Sequence, residues 1–196
     1  AFQLAYTIFQ PLCGWLIDVI GLKLGFMICA TLWALACIAH AGAGSWLHLA
    51  MLRFFMGGAE AAATPANAKT IGEWFPKSER PIAAGWAGVG FSIGAMLAPP
   101  IIYFAHASFG WQGAFMFTGA LALLWVVLWW AFYQTPEKHP NLSKSELEYI
   151  KQDNEAPPVK QPFFTALKTV SKNKRFYGIA IPAFMAEPAW AVLSFW

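Results

Sequence analysis

Arg53 and Glu60 stand seven residues apart in MLRFFMGGAEAAATPAN (51–67), a stretch that is otherwise almost wholly apolar or small. At 100° per residue a helix returns them to within about 20° of one face, about 10.5 Å apart along the axis. Gly57, Thr64 and Asn67 continue that stripe, while Leu, Phe and Met fill the remaining surface. A stripe of this kind lines water or protein, not lipid. The chemistry available to it is anion capture by a guanidinium fork coupled to protonation of a desolvated carboxyl. At mid-membrane each of the two charges costs about 2.5–3.5 kcal/mol on insertion scales. Together they approach the net stability of a typical domain, about 5–15 kcal/mol. The alternative is a purely structural ion pair. Replacing a buried pair by apolar residues is often neutral or better, so structure alone gives little reason to keep one.

Other polar groups share the apolar segments. Glu187 lies in AFMAEPAW between Pro182 and Pro188, in a helix bent by proline; it lines the same cavity or hydrogen-bonds a neighbouring helix. Tyr6 and Gln10 are i,i+4 neighbours able to face one cavity, although Gln10 can instead satisfy backbone freed by Pro11. His40, His48 and His106 fall at the outer ends of apolar runs without a recognised ligand spacing, so no metal is expected. Cys13, Cys29 and Cys37 read as small packing residues. Cys29 and Cys37, eight apart on one helix, cannot form a disulfide.

The elements that must position these groups follow from composition. Apolar residues make up 58% and charged residues 12% of the 196, with eleven Trp and seventeen Phe, against about a quarter charged in soluble domains. This is a membrane protein. A bilayer core needs about 20 helical residues to cross, and six runs approach that length: 1–17, 24–43, 46–68, 81–105, 111–133 and 177–196. The chain opens and closes inside apolar runs, as an internal piece of a longer polytopic chain would. Twelve of the thirteen Lys and Arg residues fall on one side if the connection at 18–23 is cytoplasmic, in keeping with the positive-inside rule. The thirteenth is Arg53.

Three regions are expected: 1–133 as part of an N-terminal six-helix half, 134–176 as a cytoplasmic loop, and 177–196 as the first helix of a second half. In the loop, Ser143 and Glu146 form a capping box, with Leu142 stapled on Leu147. Pro157 and Pro158 break that helix. A second helix starts at Pro162 and carries Phe163, Leu167 and Val170 on one stripe. Lys168, Lys172, Lys174 and Arg175 suit anionic headgroups, and a net charge of +3 beside a span argues against nucleic acid. Gly90 and Gly94 form a GxxxG pair suited to close helix contact.

GWLIDVIGLKLG (14–25) resembles the loop motif G-x-L-x-D-R-x-G-x-K/R of the major facilitator superfamily through Gly14, Leu16, Asp18, Gly21 and Lys23. Val19 replaces the usual arginine, which weakens the local charge network. RFFMGGAEAAATPANAKTIGEWFPKSER, SIGAMLAPP and AEPAWA are similar to the anion:cation symporter branch, most of all to bacterial hexuronate transporters. The resemblance implies an all-α fragment holding helices two to seven of a twelve-helix fold. It further implies proton coupling at Glu60, substrate binding or charge pairing at Arg53 and a substrate-contacting aromatic at Tyr6. Gln10, Asn67 and Glu187 are further candidates for the substrate cavity, and Gly14, Asp18, Gly21 and Lys23 for a conformational-switch loop.

The expectation is a proton-coupled symporter of a sugar acid anion such as galacturonate or glucuronate. It would be a monomer, multi-pass in a bacterial inner membrane, without enzymatic activity and without a cofactor beyond the coupling proton. A transporter of another organic anion, an aldonate or an organic phosphate, is the nearest alternative. A membrane enzyme or metal-binding protein built on the outer histidines is the more distant one.

Overall fold

The computed structural model describes residues 1–153 and 161–195, with side chains as far as Ala186. Every regular element among them is a helix. Two compact units form, Ala1–Pro158 and Val159–Trp196.

In the first unit, α1 (Phe2–Ile20) and α2 (Leu22–Ala39) are separated by Gly21 alone. Its φ of 93° and ψ of 153° lie in a region essentially reserved for glycine. The helices therefore run up to Gly21 and leave no loop over 18–23. Gly25, one turn after Gly21, rests on Ile17, one turn before it: a Cβ there would sit 3.0 Å from Ile17 Cα. The two helices fold back on each other as an antiparallel pair.

The expected span 46–68 is broken. α3 (Trp46–Glu60) starts at Ser45, whose hydroxyl accepts from the His48 amide, and ends at Glu60; α4 (Ala63–Trp74) follows after two residues. Pro65 is the cause. It lacks the N–H that would bond the Ala61 carbonyl, and its ring crowds that carbonyl. The backbone tightens there, with the Ala62 amide reaching the Ala59 carbonyl at 3.4 Å.

α5 (Arg80–Phe132) is two helices that meet at a kink at Gly110, with φ 71° and ψ −176°. They match the expected spans 81–105 and 111–133, with one residue where a connection was expected. The segment 111–132 packs on α2, and Gly119 lets it close up: a Cβ there would lie 3.0 Å from the Ala34 carbonyl oxygen. A Cβ added at Gly90 or Gly94 would meet nothing within 4 Å; the expected close helix contact does not form there among the described residues.

The core gathers where small residues let helices converge. Ala61, Ala62 and Ala66 are fully buried beside Cys13, Ile17 and Phe26. Large apolar side chains point outward elsewhere, among them Trp86, Met96 and Phe104. Only 6% of the most apolar window of α5 is buried, far more exposed apolar surface than a water-soluble monomer carries.

At the end of the first unit, α6 (Lys144–Ile150) has the expected capping box: the Glu146 amide donates to Ser143 Oγ at 3.2 Å, and the Ser143 amide to Glu146 Oε2 at 2.9 Å. The second unit holds α7 (Phe163–Lys172), capped by Pro162, and α8 (Lys174–Phe195). The breaker Pro157–Pro158 and the side chain of Glu187 lie outside the described residues.

Candidate functional site

α3 and α4 carry the polar stripe. Arg53 is exposed and Glu60, the last residue of α3, is half-buried. The Arg53 charge acts on Glu60 through space, yet neither side chain makes a hydrogen bond or an ion pair within 4 Å among the described residues. Arg53 is thus not consumed by a structural pair. Between them Gly57 is buried against α1, where a Cβ would stand 2.5 Å from the Phe2 carbonyl oxygen. The break at 61–62 leaves Glu60 at a helix end, beside the tightened turn of Ala61 and Ala62.

α1 supplies the facing groups. Tyr6 Oη lies 3.0 Å from Thr64 Oγ1, tying α1 to the start of α4. Gln10 is half-buried and makes no hydrogen bond among the described residues, so the i,i+4 pairing with Tyr6 is spatial only. Asn67 lines a separate groove of about 540 Å³ with Gly90 and Gly94. The structure therefore brings Tyr6 to Thr64 and Arg53 within electrostatic reach of Glu60, and sets Asn67 towards α5.

The loop motif has its own geometry. Gly14 leaves room for Pro65, whose Cβ would lie 3.5 Å from an added methyl. Asp18 Oδ1 pairs with Lys69 Nζ at 2.7 Å, and the same ammonium donates to the Ile17 carbonyl at 3.3 Å. Lys69 thus gives Asp18 a cationic partner although Val19 stands where the motif has arginine. Lys23 contributes its carbonyl, which accepts from Trp129 Nε1 at 3.3 Å.

Sequence reasoning missed Lys69, Glu73 and Tyr133. Tyr133 Oη donates to Glu73 Oε2 at 2.6 Å, and its ring stacks on Trp129 at 4.0 Å, which stacks on Trp125 at 5.4 Å. The signal was present as aromatics at i,i+4 spacing. Here they join the N-terminal end of α2 to the C-terminal ends of α4 and α5.

The histidines do not assemble. His40 is fully buried, stacked on Phe115 with centroids 5.0 Å apart, and Nδ1 donates to the Ala36 carbonyl at 2.6 Å. His48 and His106 are exposed. Among the described residues no three His, Cys, Asp or Glu side chains gather in a metal-binding cluster.

Serial helices this apolar and this exposed, with charges at the depth of a span, define a polytopic membrane protein. The family model described as Major Facilitator Superfamily matches residues 1–196. The chain is 44% identical over 200 residues to the hexuronate transporter of Escherichia coli, covering 100% of this chain and 46% of that relative. It is 45% identical over 201 residues to the galacturonate transporter of Dickeya chrysanthemi, covering 100% and 57%. A D-galactonate transporter of another Escherichia coli strain is 29% identical over 203 residues, covering 99% and 47%. The chain spans about half the length of the curated relatives it matches. It belongs to the major facilitator superfamily, and its helices are a fragment of that fold.

Proposed function

We propose that the full-length protein is a secondary active transporter, not an enzyme, that carries a sugar acid anion such as galacturonate or glucuronate into the cell together with protons. The observation that carries this reading is 44–45% identity across the whole chain to proteins named as hexuronate and galacturonate transporters. The geometry of Arg53 supports it: an exposed guanidinium at the depth of a span, free of any ion pair among the described residues, suits a carboxylate brought from solution. The site residues are Arg53, Tyr6, Gln10, Asn67 and Glu187 for the substrate and Glu60 for the proton.

In this mechanism an incoming carboxylate competes with Glu60 for the field of Arg53. A substrate anion at Arg53 and a proton at Glu60 then favour each other's binding, and by linkage the effect is reciprocal. Rocking of two halves about the site carries both inward, with Gly14, Asp18, Gly21 and Lys23 at the switching end. The protein works as a monomer in a bacterial inner membrane, with protons as its coupling ion and no other cofactor.

The test is uptake of radiolabelled galacturonate and glucuronate, against gluconate-type acids, by the full-length protein. Glu60→Gln abolishes proton-driven accumulation and leaves substrate exchange intact; undiminished uphill uptake would remove Glu60 from coupling. Arg53→Lys weakens uptake, since a point charge does not replace a bidentate fork. A second reading, transport of an aldonate, draws on the named D-galactonate transporter among the relatives, and the same substrate panel separates the two.

A further inference from the structure

Cys13 lies eight residues before Gly21 and Cys29 eight residues after it. In an antiparallel helix pair turned at Gly21, positions equidistant from the turn meet at one level, as Ile17 and Gly25 do one turn nearer. The two cysteines accordingly come to one level of the α1–α2 seam. Both belong to one buried cluster and line one groove of about 540 Å³ between α1, α2 and α3. The Cys13 thiol also reaches the Gly58 carbonyl, at 3.4 Å. Phe9, Trp15, Leu32 and Phe55 wall the groove, and Leu32 and Phe55 are more than half exposed on the apolar surface. The groove therefore opens towards lipid.

We infer that Cys13 and Cys29 form a dithiol site that takes a soft, thiophilic electrophile able to bridge two sulfurs, of which a trivalent organoarsenical is the fitting chemistry. Thiol sulfur selects soft partners. Among the described residues no carboxylate or imidazole lines the groove, so a hard or four-coordinate ion would lack its remaining ligands. An arsenical needs none. Two neutral thiols add to R–As=O, two As–S bonds form, both S–H bonds and the As=O bond break, and water leaves. The adduct is neutral, no oxidant is involved, and the aryl group has an apolar groove to occupy. Cys37, further along α2, points to the Phe115 carbonyl at 3.6 Å and stands apart from the pair.

The experiment uses the full-length protein, folded in membranes or detergent, with phenylarsine oxide as probe. Intact mass and peptide mapping read the product. One adduct bridging the peptides of Cys13 and Cys29 is expected, resistant to a monothiol and released by a dithiol. Cys37→Ser retains it; Cys13→Ser and Cys29→Ser each reduce it to background. Mapping on wild-type protein keeps the test independent of whether a variant folds. An adduct that maps away from Cys13 and Cys29, no adduct on the folded wild type, or full binding by Cys13→Ser would overturn the assignment.

Discussion

Adjacent glycines on α3 invite opposite outcomes from the same substitution. An alanine Cβ at Gly57 would lie 2.5 Å from the Phe2 carbonyl oxygen, 3.0 Å from a Phe2 ring carbon and 3.1 Å from the Phe2 carbonyl carbon. Ordinary contact begins at 3.4 Å, so α1 must retreat by 3.4 − 2.5 = 0.9 Å at that point. The obstacle is backbone and does not swing aside. Overpacking of this kind costs about 1–3 kcal/mol. Retreat of α1 also draws Tyr6 from Thr64, one turn along the seam, and a lost hydrogen bond adds about 0.5–1.5 kcal/mol. Replacing a helical glycine returns about 1 kcal/mol, leaving Gly57→Ala destabilised by about 1–3 kcal/mol, the scale of the overpacking itself. At Gly58 the nearest atoms are Phe9 ring carbons at 3.4 Å, already ordinary contact, so Gly58→Ala is neutral or gains up to about 1 kcal/mol. Thermal unfolding of the two full-length variants in detergent, with galacturonate uptake alongside, reads the difference. Gly57→Ala matching wild type in both, or Gly58→Ala falling below Gly57→Ala, would refute the close α1–α3 packing.

Three further outcomes follow from the geometry. Asp18→Asn and Lys69→Met each lower uptake by removing the pair at the inner end, while the exchange Asp18→Lys with Lys69→Asp recovers part of it; since Asp18 is 55% exposed, melting temperature changes little. A double-mutant cycle of Tyr6→Phe and Thr64→Val gives a coupling of about 0.5–1.5 kcal/mol in thermal stability, and strict additivity would mean that the hydroxyls do not meet. Glu137, held by Lys151 at 2.8 Å, is kept below the ordinary carboxylate range by that hydrogen bond first of all. A depressed carboxyl contributes stability above its unfolded value, about 4.3, and loses it as pH falls through the folded value. Protection across 137–151, the exchange rate taken relative to the intrinsic rate at each pH, therefore falls on acidification through that window in wild type, and Lys151→Ala reduces that fall.

What was legible in the chain was whatever depends on local composition and period. Apolar runs of bilayer length, the sidedness of lysine and arginine, the Ser143–Glu146 cap and the returning face of Arg53 and Glu60 are consequences of residue type and helical pitch. Contacts between helices are not encoded that way. Lys69 counted only as one more inner charge until the fold set it 2.7 Å from Asp18, 51 residues distant along the chain. Cys13 and Cys29 read as separate packing residues, since neither segment states how sharply the chain turns at Gly21. A single glycine-only conformation turns α1 directly onto α2 and brings the thiols together. Pro65 stands inside the run 46–68, which reads as one span; its effect falls one turn earlier, at 61–62, and only there does Glu60 become a helix end. Pitch is a property of the segment alone, whereas proximity depends on how segments approach, and at Gly57, Gly25 and Gly119 the missing side chains let other helices in.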